Sequence, residues 1–216
     1  MRSTARSAAL ALLAAAGPAM AADAGGTSPG SVEAVWVEHE ISFTYTGFTT
    51  HYSCSGLEHK IEYVLRQIGA RPGYKVTSSG CLNSGPEWMP HVRIRASLPA
   101  EATPERLAQL EQATDRQGLV ARAGGRSAGT DAATARFPAS WRVVTFEGTP
   151  TSDVQDGDCE LMEQLVDRLF KPLGIEQAEG SSLNCVPHQV PINAVRMKVR
   201  ALVPTAPADG PAAGRP

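Results

Sequence analysis

Residues 91–99 read HVRIRASLP, and residues 195–204 read VRMKVRALVP. Each run alternates cationic and apolar side chains with the two-residue period of a strand covered on one face only. His91, Arg93 and Arg95 share one side of the first run; Arg196, Lys198 and Arg200 share one side of the second. The tetrads Arg93-Ile94-Arg95-Ala96 and Lys198-Val199-Arg200-Ala201 stand 105 positions apart. The same offset joins Trp36 to Trp141, Cys54 to Cys159, Gly69 to Gly174 and Pro99 to Pro204, while Cys81 and Cys185 differ by 104. The joint agreement of Trp, Cys, Gly, a basic strand and a closing Pro points to an internal duplication, with units at residues 36–99 and 141–204.

Within each unit the hydrophobic period changes twice. Val37, His39, Ile41, Phe43 and Tyr45 alternate with Glu38, Glu40, Ser42 and Thr44, which predicts a strand over 37–45. After Cys54, the residues Leu57, Ile61, Val64, Leu65 and Ile68 recur at helical spacing. Their counterparts are Met162, Val166, Leu169, Phe170 and Leu173, and both stripes stop at a glycine, Gly69 or Gly174. Ser53 and Asp158 stand where helix N-caps would, and Ser55 with Glu58 offers a competing capping box. Second strands are expected at 74–81 and 175–185, and third strands at 91–98 and 195–203.

The expected fold class is therefore α+β, a tandem duplication of a β-α-β-β unit. Ferredoxin-like antiparallel sheets would carry the helices on one face, with each third strand between the other two. One helix on three strands buries little, so the units are expected to pack together or to share one six-stranded sheet. Residues 22–35 form an N-terminal segment. Residues 100–140 connect the units through a helix at 104–116, started by Thr103, and a Gly/Ala/Ser-rich loop at 123–135. Residues 205–216 form a Pro/Ala tail that is expected to be disordered.

Composition narrows the setting. Of 216 residues 42% are hydrophobic, too many for a disordered chain, and 20 Lys+Arg against 22 Asp+Glu give no excess of cations for nucleic acid. Residues 1–21 have the pattern of a secretory leader: Arg2 and Arg6, an apolar stretch at 7–17, and Ala19-Met20-Ala21. That stretch is well short of the roughly 20 residues of a membrane helix, so no membrane span is expected. Cleavage near Ala21/Ala22 would leave 18 basic and 22 acidic residues, a formal charge of −4, in a periplasmic or secreted protein.

Four cysteines in an exported chain argue for disulfides, with three pairings open. The repeat favours Cys54 with Cys81 and Cys159 with Cys185, one bridge per unit, each worth roughly 3 to 4 kcal/mol in the chain-entropy model. Pairing Cys54 with Cys159 and Cys81 with Cys185 also respects the repeat. Cys54 and Cys159 at helix N-termini suit a redox thiol, but no C-x-x-C accompanies them. Asp153, Asp156, Asp158 and Glu160 offer oxygen ligands for Ca²⁺ without EF-hand spacing, and also suit a helix N-terminus with no metal. His39, His51, His59, His91 and His188 share no ligand spacing, and no hydrolase, nucleotide or zincin motif is present. No cofactor is implied.

The basic row remains. Arg93, Arg95, Arg196, Lys198 and Arg200, flanked by Trp36 and Trp141 on the same parity, make a candidate binding face for an envelope protein or an anionic envelope ligand. The competing account is charge pairing with Glu38 and Glu40 on the neighbouring strand. The functional expectation is a non-catalytic, disulfide-stapled scaffold. The alternative is an enzyme with a site between the units, a thiol-disulfide redox protein being its most specific form.

Overall fold

The alternation of the third strands puts each of them at the centre of its half. The structure, a computed structural model, describes residues 30–81, 89–123 and 135–205. Its elements run β1 (Ser31–Thr44), α1 (Cys54–Gln67), β2 (Lys75–Ser79), β3 (His91–Glu101), α2 (Pro104–Ala123) and β4 (Phe137–Glu147). They continue with α3 (Cys159–Leu165), β5 (Glu176–Gln177), β6 (Ser182–Leu183) and β7 (Val195–Pro204). The protein is α+β, with seven antiparallel strands in the order β2-β3-β1-β4-β7-β5, and β6 also on β7. The leader at 1–21, most of the segment 22–35, the loop at 124–134 and the tail beyond 205 lie outside the described residues.

One sheet, rather than two packed sheets, joins the halves. β1 and β4 meet through four register pairs, from Ser31 opposite Ser140 to Ala34 opposite Phe137, and then continue in opposite directions. The strands therefore begin upstream of the expected boundaries at Trp36 and Trp141. Ala34, Ala139 and Leu202, with Val32 and Phe137 against them, form a small apolar cluster at this seam, which repays extending both strands.

α1 and α3 cover one face. Leu57, Ile61 and Leu65 of α1 and Leu161, Met162 and Leu165 of α3 share one core with the inward residues Val92, Ile94, Met197 and Val199 of the central strands. Each such side chain stabilises the fold by about 1.5–3 kcal/mol through burial. α2 departs from the expected one-sided arrangement and runs on past residue 116 to Ala123. Its Leu110, Ala113 and Thr114 border the opposite, cation-bearing face beside Trp36 and Arg95. Thr103 Oγ1 accepts from the Arg106 backbone N–H at 3.3 Å, as a cap should.

Both core helices stop in the same way. Gly69 (φ 85°) and Gly174 (φ 69°) occupy the left-handed region. The next residue in each case bonds back across the turn, Ala70 N–H to Leu65 O and Ile175 N–H to Phe170 O, both at 2.9 Å. The second helix reaches its glycine through a π-helical turn at Val166–Phe170. Their starts differ. Ser53 caps α1 by accepting from Gly56 N–H at 3.1 Å, whereas Asp158 makes no cap hydrogen bond to α3. The competing box at Ser55 is not made, because Glu58 accepts from the backbone and hydroxyl of Ser78 instead.

The strand expected at 175–185 is broken into β5 and β6. Gly180 (φ 77°) turns the chain between them, and Ser181 N–H closes the turn on Ala178 O. Both pieces still pair with β7, so the edge is kinked rather than lost.

Candidate functional site

The bridges are Cys54–Cys81 and Cys159–Cys185, with Cα separations of 5.3 and 5.4 Å. One is thus internal to each half, and no cysteine is free. Cys81 and Cys159 are buried, which withdraws one sulfur of each pair from attacking thiolates.

Three acidic residues around the start of α3, Asp153, Asp158 and Glu160, tie the halves together, whereas Asp156 accepts within the second half. Asp158 is only 3% exposed. It receives the Tyr52 hydroxyl at 2.6 Å, the Lys60 ammonium at 2.7 Å and the Gln155 N–H at 2.7 Å. Glu160, also buried, accepts from the backbone N–H groups of Phe48 at 2.7 Å and Thr49 at 2.9 Å. Asp156 accepts from Asn193 and Val195 N–H, and Asp153 lies 3.3 Å from His59. Among the described residues no group of three or more His, Cys, Asp or Glu is placed to hold a metal ion. Burial pushes the Tyr52 hydroxyl well above its ordinary range, and the Asp158 carboxylate beside it adds to that. Tyr45 is raised by burial and by Glu160 and Asp158. Burial and the charge of Arg106 hold His39 below its ordinary value.

The two halves treat their basic rows differently. In the first, β1 sets Glu40 directly opposite Arg95. Arg95 reaches Glu40 at 3.4 Å and Glu38 at 3.8 Å. Trp36 is buried, stacked on Phe137 at 4.5 Å, with the Arg71 guanidinium 5.8 Å over its ring. A cleft of about 600 Å³ separates this face from α2.

In the second half, β4 sets Thr145 opposite Lys198, Val143 opposite Arg200 and Glu147 opposite Arg196, and β5 sets Glu176 opposite Arg200 on its other side. The positions that carry Glu38 and Glu40 in β1 are thus Val143 and Thr145 in β4 at the 105 offset. Among the described residues no carboxylate lies within ion-pair distance of Arg196, Lys198, Arg200 or Arg93. Trp141 is 39% exposed and Val143 58%. The Arg200 guanidinium sits 5.1 Å over the Trp141 ring, and Trp141 Nε1–H donates to Glu101 Oε1 at 2.7 Å. Glu101, Trp141, Gly174, Glu176 and Arg200 line a pocket of about 320 Å³.

Of the expected face, then, the structure gathers Trp141, Arg196, Lys198 and Arg200 on β4 and β7. Trp36, Arg93 and Arg95 lie with β1 and β3. Arg71, Glu101 and Glu176 were not among the expected site residues. Glu101 was legible, because it continues the alternation of Arg93 and Arg95 along β3; Arg71 and Glu176 reach the tryptophans through tertiary contacts that no local period encodes. Comparison with protein-family models, curated proteins and solved structures finds no match for this chain.

Proposed function

We propose that this is an exported, non-catalytic scaffold whose β4/β7 face binds an anionic ligand of the cell envelope. The observation that carries the reading is the contrast in ion pairing: Arg95 has two carboxylates within 4 Å, whereas among the described residues Arg196, Lys198 and Arg200 have none that close, although Glu147 and Glu176 stand opposite Arg196 and Arg200, and an exposed tryptophan lies beside them. Cations with no carboxylate within ion-pair distance are available to an anion even in a chain of net negative charge. Export is supported by the leader pattern at residues 1–21 and by two disulfides.

The scaffold is read as a ferredoxin-like tandem duplication. Three features support it: the matched glycine stops of both helices, one bridge in each half, and the two-fold character of the β1–β4 pairing. Three of its four register pairs map onto one another or onto themselves when the halves are exchanged at the 105 offset. By strand pairing, Lys198 rather than Arg200 corresponds to Arg95, since they lie opposite Thr145 and Glu40. The third strands have slipped by two residues, which preserves their faces.

The reading is tested by elution from a dextran-sulfate matrix. A protein with net negative charge is retained there only through a local patch. The variant Arg196→Gln/Lys198→Gln/Arg200→Gln should elute at markedly lower salt, and Arg93→Gln/Arg95→Gln should shift less. Co-elution of the triple variant with the unaltered protein would overturn the assignment.

A further inference from the structure

We propose that the pocket formed by Trp141, Arg200, Glu101 and Glu176 receives a neutral sugar ring, and that the acid-bearing neighbour of that ring lies along Lys198 and Arg196. The inference rests on the open-face reading and names the ligand class for it: an acidic saccharide with alternating neutral and charged residues.

The chemistry inside the pocket selects the ring. At about 320 Å³ it stands at the small end of ligand sites. Its polar groups are of mixed sign, two carboxylates and one guanidinium around an indole. A carboxylate or phosphate entering it would meet Glu101 and Glu176. A cation would meet Arg200, which already occupies the indole face at 5.1 Å. An apolar group would strip water from three charges without replacing their hydrogen bonds. A polyhydroxylated ring meets every group: its hydroxyls donate to the carboxylates and accept from the guanidinium, while its C–H surface lies against the exposed part of Trp141.

The chemistry outside the pocket selects the acid. Side chains on one face of a strand recur at about 7 Å, two residues of rise. Lys198 therefore stands one such step from Arg200 along β7, and Arg196 a second. Neither has a carboxylate within ion-pair distance among the described residues, although Glu147 stands opposite Arg196. Carboxylates in the pocket and cations beside it suit a chain that is neutral at one residue and acidic at the next. The corresponding tryptophan of the first half does not offer this site, since Phe137 and Arg71 flank Trp36 and leave it 8% exposed.

Calorimetric titration of the purified oxidised protein with a hyaluronan hexasaccharide, its methyl ester and hexaglutamate tests the assignment. The hexasaccharide should bind more tightly than either control. Trp141→Ala, and separately Glu101→Gln/Glu176→Gln, should weaken it by about tenfold, the loss of one or two polar or stacking contacts, with hexaglutamate binding unchanged. Arg196→Gln/Lys198→Gln should weaken both acidic probes. If Trp141→Ala loses its fold on heating well before the parent, the glutamine pair carries the test. Hexaglutamate matching the hexasaccharide, with neither pocket variant altering affinity, would overturn the saccharide assignment and leave the open face as a site for acidic peptide. Acidic probes indifferent to Arg196→Gln/Lys198→Gln would overturn the open-face reading itself.

Discussion

Asp158 is the residue on which the junction of the halves turns. Its buried carboxylate compensates Lys60 and receives Tyr52, both from the first half. Removing one partner of such a pair leaves an uncompensated charge, so Asp158→Asn should cost about 3–5 kcal/mol in urea unfolding. Lys60→Met added to it should recover part of that loss. Tyr45 and Tyr52 give the pH dependence its sign. Both are held protonated in the fold, above the roughly 10 of an unfolded tyrosine, so the native state retains protons that the unfolded state releases. Their contribution is complete below about pH 10 and is lost as pH rises beyond it. The melting temperature should fall steeply there, and Tyr52→Phe should flatten the fall. None of these partnerships was legible in the sequence. The acidic cluster could be read as helix-terminal charge or as metal ligands, and only the fold brings Tyr52 and Lys60 to Asp158.

Local periods served the elements well. The spacing of Leu57, Ile61, Val64 and Leu65 yields a continuous helix, and Gly69 and Gly174 end both core helices in left-handed turns. The two glycines should nevertheless tolerate alanine differently. A Cβ on Gly174 meets nothing within 4 Å, so Gly174→Ala should cost only the backbone penalty of about 1 kcal/mol. A Cβ on Gly69 would lie 3.2 Å from Pro204 and 3.3 Å from Leu202 O, so Gly69→Ala should cost more; thermal melts of the pair compare them directly. Two elements escaped the period. β5 and β6 are interrupted at Gly180, a turn hidden within an apparently continuous strand region. β1 begins at Ser31 because its first residues pair across the seam, a contact with residues more than 100 positions away.

At the scale of the molecule, the offset of 105 leads the sequence to be read as two similar halves, and the structure shows where the two differ. The candidate face was expected to include both basic rows. Thr145 where β1 has Glu40 leaves Lys198 without the cross-strand carboxylate that pairs with Arg95, a difference visible in the sequence once strand neighbours are known. The bridges should contribute to both halves alike: Cys159→Ser/Cys185→Ser should lower stability by about 2–5 kcal/mol without altering ligand binding at the β4/β7 face. The central claim, that the open face belongs to the second half alone, is met most directly by mapping backbone amide shifts during titration with a dextran-sulfate oligomer. The expected result is a set of saturable shifts confined to residues 141–147 and 196–200. Equal shifts along residues 91–97, or shifts on neither strand pair, would contradict it.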